Sequence, residues 1–301
     1  MRYSPFARPF AGPTTLGLDS VLPGTPDADE LAGGPGADLI LGQAGDDRIL
    51  GRGGDDTILT GAGNDTVFGD DEIGPPPALP GRPEPDVLPG NNLIHGGSGN
   101  DNITAGWGAD TVFAGSGDDL ILGYGGGYPS PGGFDVYLRA EGSDLLHGGA
   151  GNDTVDGGGG NDVLMGGAGD DVLFGGYGVD LLAGGPGADR FVFRFYDPFL
   201  TAPDTGVGEG NRDVILDFRP GDAIDLSGYK VPGSDVSESV FLGTDPFMAT
   251  NALQVRYEVA DGRTVVQFYA PRFSVPDGLP APTGEIELAG VHTLTEADFI
   301  L

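Results

Sequence analysis

Counted in nines from Gly24, the chain places an apolar residue at the eighth position of every group. Groups starting at 24, 33, 42, 51 and 60, then 87, 96, 105 and 114, then 139, 148, 157, 166, 175 and 184 make fifteen. Their eighth residues are Leu31, Ile40, Ile49, Ile58, Val67, Ile94, Ile103, Val112, Ile121, Leu146, Val155, Leu164, Leu173, Leu182 and Phe191. In the clearest run, 148–192, Gly holds the first, second and fourth places and Asp the sixth. The last three places of each group read as a short strand whose eighth side chain points inward. One group makes half a turn, so residues two groups apart stack as parallel neighbours. The pattern predicts an all-β fold, a parallel β-roll built as a right-handed β-helix of nonapeptide repeats.

Two segments break the count. Residues 69–86 have the length of two groups, so the repeats resume in phase, and residues 123–138 are rich in Gly, Tyr and Pro. Residues 1–23 contain four Pro and no period, which predicts a flexible N-terminal arm. The expected roll is 24–193. From 194 to 301 alternation takes over, in D-V-I-L-D-F (213–218), L-Q-V-R-Y-E-V (253–259), T-V-V-Q-F-Y (264–269) and E-I-E-L (285–288), which predicts a β-rich C-terminal cap.

The sixth places carry the candidate chemistry: Asp29, Asp38, Asp47, Asp56, Asp65, Asn92, Asp101, Asp110, Asp119, Asp144, Asp153, Asp162, Asp171, Asp180 and Asp189. Gly at the first, second and fourth places admits positive φ and a tight turn that directs carbonyl oxygens inward. First-place Gly33, Gly42, Gly51, Gly96, Gly148, Gly157, Gly166, Gly175 and Gly184 are the expected carbonyl donors. Oxygen-only ligands suit a hard cation taking six to eight of them, Ca²⁺ before Mg²⁺. Stacking brings Asp153 beside Asp171 and Asp162 beside Asp180. At ~4.8 Å and an effective dielectric of about 20 each pair repels by roughly 3.5 kcal/mol. The repeats are therefore expected to fold only with calcium, and loops two groups apart give roughly nine ion sites. Asp or Asn at the fifth place (Asp46, Asp55, Asn64, Asn100, Asp118, Asn152, Asn161, Asp170) reads as turn chemistry. Asp70, Asp71 and Glu72 read as a solvated acidic loop.

The net charge of −32, from 46 acidic and 14 basic residues with Lys230 the only lysine, excludes nucleic acid and anionic membrane as natural partners. Cysteine is absent, so disulfides and thiolate metal sites are excluded. The N-terminus lacks the apolar core of a secretory signal, and no apolar run is long enough to span a membrane. His95, His147 and His292 are the only histidines, and neither H-E-x-x-H nor G-x-S-x-G occurs. The expectation is a non-enzyme. Tyr124, Tyr128, Phe134 and Tyr137, in the second break, fit either a flap packed on the roll or a contact to a glycan or partner. Ninth-place Leu41, Leu50, Leu59, Phe68, Phe113, Leu122, Met165 and Phe174 form an outer apolar stripe. Residues 194–301 or a second copy of the chain are expected to cover it.

On these nonamers, residues 24–192 resemble the RTX (repeats-in-toxin) calcium-binding proteins. G-A-D-R-F-V-F (187–193) and R-D-V-I-L-D-F-R-P-G-D-A-I-D-L-S (212–227) look like the segment that closes the roll in serralysin-type C-terminal regions. The ending D-F-I-L (298–301) is similar to an uncleaved type I secretion signal. The resemblance implies export unfolded through a type I machinery and folding outside the cell on calcium, with the sixth-place Asp residues as ligands and Asn92 as a weaker, neutral substitute. It implies a structural or surface-associated role, or an accessory polysaccharide-binding module like the RTX modules of alginate epimerases.

Overall fold

The computed structural model describes residues 18–70, 90–124, 142–194, 205–229, 239–248, 252–270 and 282–301. Among them the strands form two sheets, one of 13 strands and one of 10. Successive nonamers contribute strands to alternate sheets. Residues two groups apart pair in parallel, Ile40 against Ile58 in one sheet and Ile49 against Val67 in the other. The two sheets enclose the eighth-place row. Fourteen of its fifteen residues are 0 % exposed, and Leu31, in the first coil, packs half-buried against them. Burying each aliphatic side chain is worth about 1.5–3 kcal/mol. The chain is a parallel β-roll.

The roll begins before the first glycine-marked group. Ser20–Pro23, at the end of the expected flexible arm, pairs in parallel with Asp38–Leu41 and sets Leu22 opposite Ile40. Residues 1–17 lie outside the described residues. The roll also runs past 194. Asp213–Ile215 continues one sheet beside Leu181–Ala183, and Ala223–Gly228 continues the other beside Arg190–Arg194. The sheets then end differently. Gly284–Leu288 pairs with Asp213–Ile215, followed by antiparallel Arg263–Tyr269 and Leu253–Ala260 and then Ser239–Phe241. Phe299–Ile300 closes the second sheet against Ala223–Gly228.

The described strands on either side of each break pair as direct neighbours: Thr57 with Leu93 across the first and Thr111 with Leu145 across the second. Leu181 pairs with Val214 in the same way across a third interruption of the count, residues 193–207. Gly69 and Gly90 hold the first and fourth places of one enlarged turn, and Gly123 and Gly142 do so in another. All three enlarged turns, which lead into Asn92, Asp144 and Asp213, lie on one edge of the roll. The opposite edge, from Asp29 to Asp222, is uninterrupted.

The described C-terminal strands extend both sheets end-on rather than lying across the outer stripe, so of the two expected covers they do not supply the first. The stripe instead shields itself by stacking along the sheet. His95 stacks on Phe113 with ring centroids 5.1 Å apart, and Phe113 meets His147 at 6.2 Å. Leu59 is 38 % exposed, and Leu41, Leu50, Phe68, Phe113, Leu122, Met165 and Phe174 are half-buried. No described helix is long and apolar enough to cross a membrane.

Candidate metal centre

The turn that carries each sixth-place residue depends on glycine for two separate reasons. At the second and fourth places of most loops the backbone is left-handed, as in Gly149 (φ +121°) and Gly151 (φ +136°), though not at Gly34, Gly36 or Gly187. The first place is different, since φ there is not positive, contrary to the sequence expectation. A Cβ on Gly148 would fall 2.3 Å from Asp153 Oδ2 and 2.6 Å from the carbonyl oxygen of Gly166, one coil along. The same crowding by the sixth-place carboxylate recurs at Gly33, Gly42, Gly51, Gly96, Gly157, Gly166, Gly175 and Gly184. Two kinds of oxygen thus converge on one small space, and neither can donate a hydrogen bond.

All fifteen sixth-place residues line up in two columns, one along each edge of the roll. Within a column the backbone N–H of one residue donates to Oδ1 of the next: Asp38 to Asp56 and Asp153 to Asp171 at 2.8 Å, Asp162 to Asp180 at 2.9 Å. The columns run further than the glycine pattern. Asp180 donates to Asp213 Oδ1 at 2.9 Å and Asp189 to Asp222 Oδ1 at 3.1 Å. Neither follows a G-G-x-G-x turn, since Gly206, Gly208 and Gly210 precede Asp213 and Gly221 precedes Asp222 out of that pattern, and the short D-x-apolar spacing of D-V-I and D-A-I is what marks them. The fifth-place residues link the coils in the opposite direction. Asn100 donates its N–H to Asn64 Oδ1 at 2.7 Å, and Asn152 to Asp118 Oδ1 at 2.8 Å. They join the turns and stay exposed.

The second oxygen of most column carboxylates is where the electrostatics fail to balance. Oδ2 of Asp47, Asp56, Asp65, Asp101, Asp110, Asp119, Asp153, Asp162, Asp171, Asp180 and Asp189 is buried without a hydrogen-bond partner. A buried carboxylate left this way is costly, so the carboxyls resist ionising. Burial pushes Asp144 up to about 9, with Asp110 and Asp162 adding repulsion, and Asp162 up to about 8, with Asp180 adding to it. Burial likewise raises Asp56, Asp101 and Asp110 to about 7. Among the described residues no three acidic or His side chains converge at metal distance. An ion here would draw its ligands from single carboxylates plus backbone carbonyls. Orphaned Oδ2 atoms, converging carbonyls and a first place closed to any Cβ are the donor set that a hard cation fits.

Asp70 belongs to the wall of this site rather than to a solvated loop. It is 2 % exposed, and its Oδ2 accepts the N–H of Trp107 at 2.6 Å. Tyr124 lies over Gly158, close enough to clash with a Cβ there. Asp71, Glu72, Tyr128, Phe134 and Tyr137 lie outside the described residues.

A family model for the RTX calcium-binding nonapeptide repeat (4 copies) matches residues 23–58, 41–72, 88–121, 140–164 and 156–191. No curated protein matches the chain. Among solved structures, the AlgE6R2 subunit of the Azotobacter vinelandii mannuronan C5-epimerase is 28 % identical. The match covers 53 % of this chain and 88 % of that one, with a TM-score of 0.26. The AlgE6R3 subunit of the same epimerase is 25 % identical over 64 % of this chain and 78 % of that one, TM-score 0.31. The extracellular lipase LipA from Serratia marcescens is 17 % identical over 89 % of this chain and 39 % of that one, TM-score 0.21.

Proposed function

We propose, from the RTX calcium-binding nonapeptide repeats that the chain carries, that it is a secreted, non-catalytic calcium-binding protein that folds when the ion arrives. The observation that carries this reading is the set of eleven buried Oδ2 atoms left without a partner. Without a cation they oppose folding by desolvation and mutual repulsion. With one, each becomes a ligand alongside the first-place carbonyl of the next coil. Calcium bound at ~1,000 times its dissociation constant adds about 4 kcal/mol per site, so a few ions would decide whether the roll forms. The same dependence suits export: a chain that stays unfolded where calcium is scarce can be threaded out through a type I machinery and fold outside. Its function there is structural or surface-associated.

The test is circular dichroism during a calcium titration, with magnesium as control. A cooperative gain of β signal with calcium alone is expected. A β-rich spectrum unchanged by chelator would show that packing alone carries the fold and would end this reading. Titrating acidic polysaccharide into the calcium-loaded protein then separates a purely structural role from glycan binding.

A further inference from the structure

Not every loop in the columns is short of a donor. Asp29 Oδ2 accepts the Thr25 N–H at 2.5 Å and the Thr25 hydroxyl at 2.9 Å. Asp38 Oδ2 accepts the Gly34 N–H at 2.5 Å, and Asp222 Oδ2 accepts the Arg219 N–H at 2.7 Å. Asn92 departs furthest from the pattern. Its Oδ1 accepts the Asp56 N–H at 3.0 Å, as the column residues after Asp38 accept from theirs, which turns the amide nitrogen toward the next coil. There Nδ2 donates to the carbonyl oxygen of Ala105 at 3.1 Å. Ala105 holds the first place of its group. In the other loops an acceptor faces that carbonyl, whereas here a donor meets it.

The N-terminal end supplies still more donors. The second place is Gly in most loops, but Gln43 and Arg52 hold it here and take left-handed backbone, with φ of 82° and 84°. The Gln43 amide donates to the Gly24 carbonyl, and the Arg52 guanidinium donates to the Gly33 carbonyl at 3.0 Å. These are the first-place carbonyls of the loops that end in Asp29 and Asp38. At the other end the Arg219 guanidinium bonds the Gly185 carbonyl and pairs with Asp217 at 3.1 Å.

We propose that the loops of Asp29, Asp38, Asn92 and Asp222 take no calcium, because the chain's own donors close them. Ions are then confined to the remaining loops: on one edge the Asn92 bridge parts Asp56 from Asp110, and on the other Asp47 to Asp189 runs unbroken, Asp65 joining Asp101 directly, while the ends at Asp29, Asp38 and Asp222 hold together without metal. The inference rests on the calcium reading above and narrows it.

Counting bound calcium by native mass spectrometry tests it, on the full chain and on three variants. Asn92→Asp replaces the bridging donor with a carboxylate and is expected to gain one ion. Asp29→Asn is expected to keep the full count, and Asp171→Asn to lose at least one. An unchanged count in Asn92→Asp together with a lost ion in Asp29→Asn would overturn the proposal. Native chain that takes up no calcium at all would instead remove the reading beneath it. Hydrogen exchange on the native chain gives a second readout that needs no variant to fold. In chelator the amides of Asp29 and Asp38 should keep protection that Asp153 and Asp162 lose, and equal loss at all four would contradict the metal-free ends.

Discussion

The backbone N–H of Asp153 donates to Oδ1 of Asp171 at 2.8 Å, while Oδ2 of both residues lies buried with no partner. Each carboxylate is thus half used: one oxygen ties coil to coil, and the other waits for a cation. Asp171→Asn should separate the two functions. Its Oδ1 can still accept from Asp153, and its amide removes a buried charge. The variant should lose much of the stabilisation that calcium confers, up to about 4 kcal/mol for one site near saturation, and little in chelator. Thermal melts with calcium and with chelator measure both.

Stability without metal should fall as pH rises. The buried carboxyls bind protons more tightly in the folded chain than in the unfolded one, where they keep the ordinary value of 3.8, with Asp144 raised to about 9 and Asp162 to about 8. The folded state therefore holds more protons across that window. Its acid-favoured stability is fully present below 3.8 and is lost as pH climbs through about 9. In chelator the β signal in circular dichroism should be larger at pH 5 than at pH 8. Calcium, which needs the ionised form, should narrow or reverse the difference.

Glycines that look alike in sequence should tolerate substitution unequally. At Gly34 a Cβ would meet nothing nearer than Asp38 Oδ2 at 3.7 Å, whereas at Gly148 it would strike Asp153 Oδ2 and the Gly166 carbonyl. Gly34→Ala is expected to be close to neutral. Gly148→Ala should destabilise by about 1–3 kcal/mol through overpacking and lower calcium affinity as well. Denaturant melts of the two variants in calcium make the comparison.

The eighth-place row and the sixth-place column were legible in the chain because each rests on one side chain repeated at one spacing. Ile40 and Ile58, or Asp153 and Asp171, need no third residue to find each other. What escaped depended on something other than that spacing. Asp213 and Asp222 join the columns without the G-G-x-G-x pattern ahead of them, so the motif fell silent although the strands continued. Gly148 is required by its neighbours' oxygens rather than by its own φ, a contact that exists only between coils. Ser20 stands where later groups have Asp, which hid the first strand. Asn92 read as a weaker ligand, since only its bond to Ala105 reveals a donor.

The first break should be removable. Gly69 and Gly90 already occupy the first and fourth places of one turn, and Leu93 pairs with Thr57 as though nothing intervened. Replacing residues 71–89 by one residue would keep the buried Asp70 and restore a nine-residue repeat. The shortened chain is expected to keep its calcium-induced β signal and a melting temperature close to that of the full chain. Loss of the calcium response would mean that the inserted residues are part of the roll's support.

The central claim is that the orphaned Oδ2 oxygens are ion sites, and crystals grown in calcium test it most directly. Anomalous difference maps should show peaks between coils beside Oδ2 of residues such as Asp153, Asp162 and Asp171, and none at the Asn92–Ala105 bridge. Water, or nothing, beside those oxygens in calcium-saturated crystals would contradict the account.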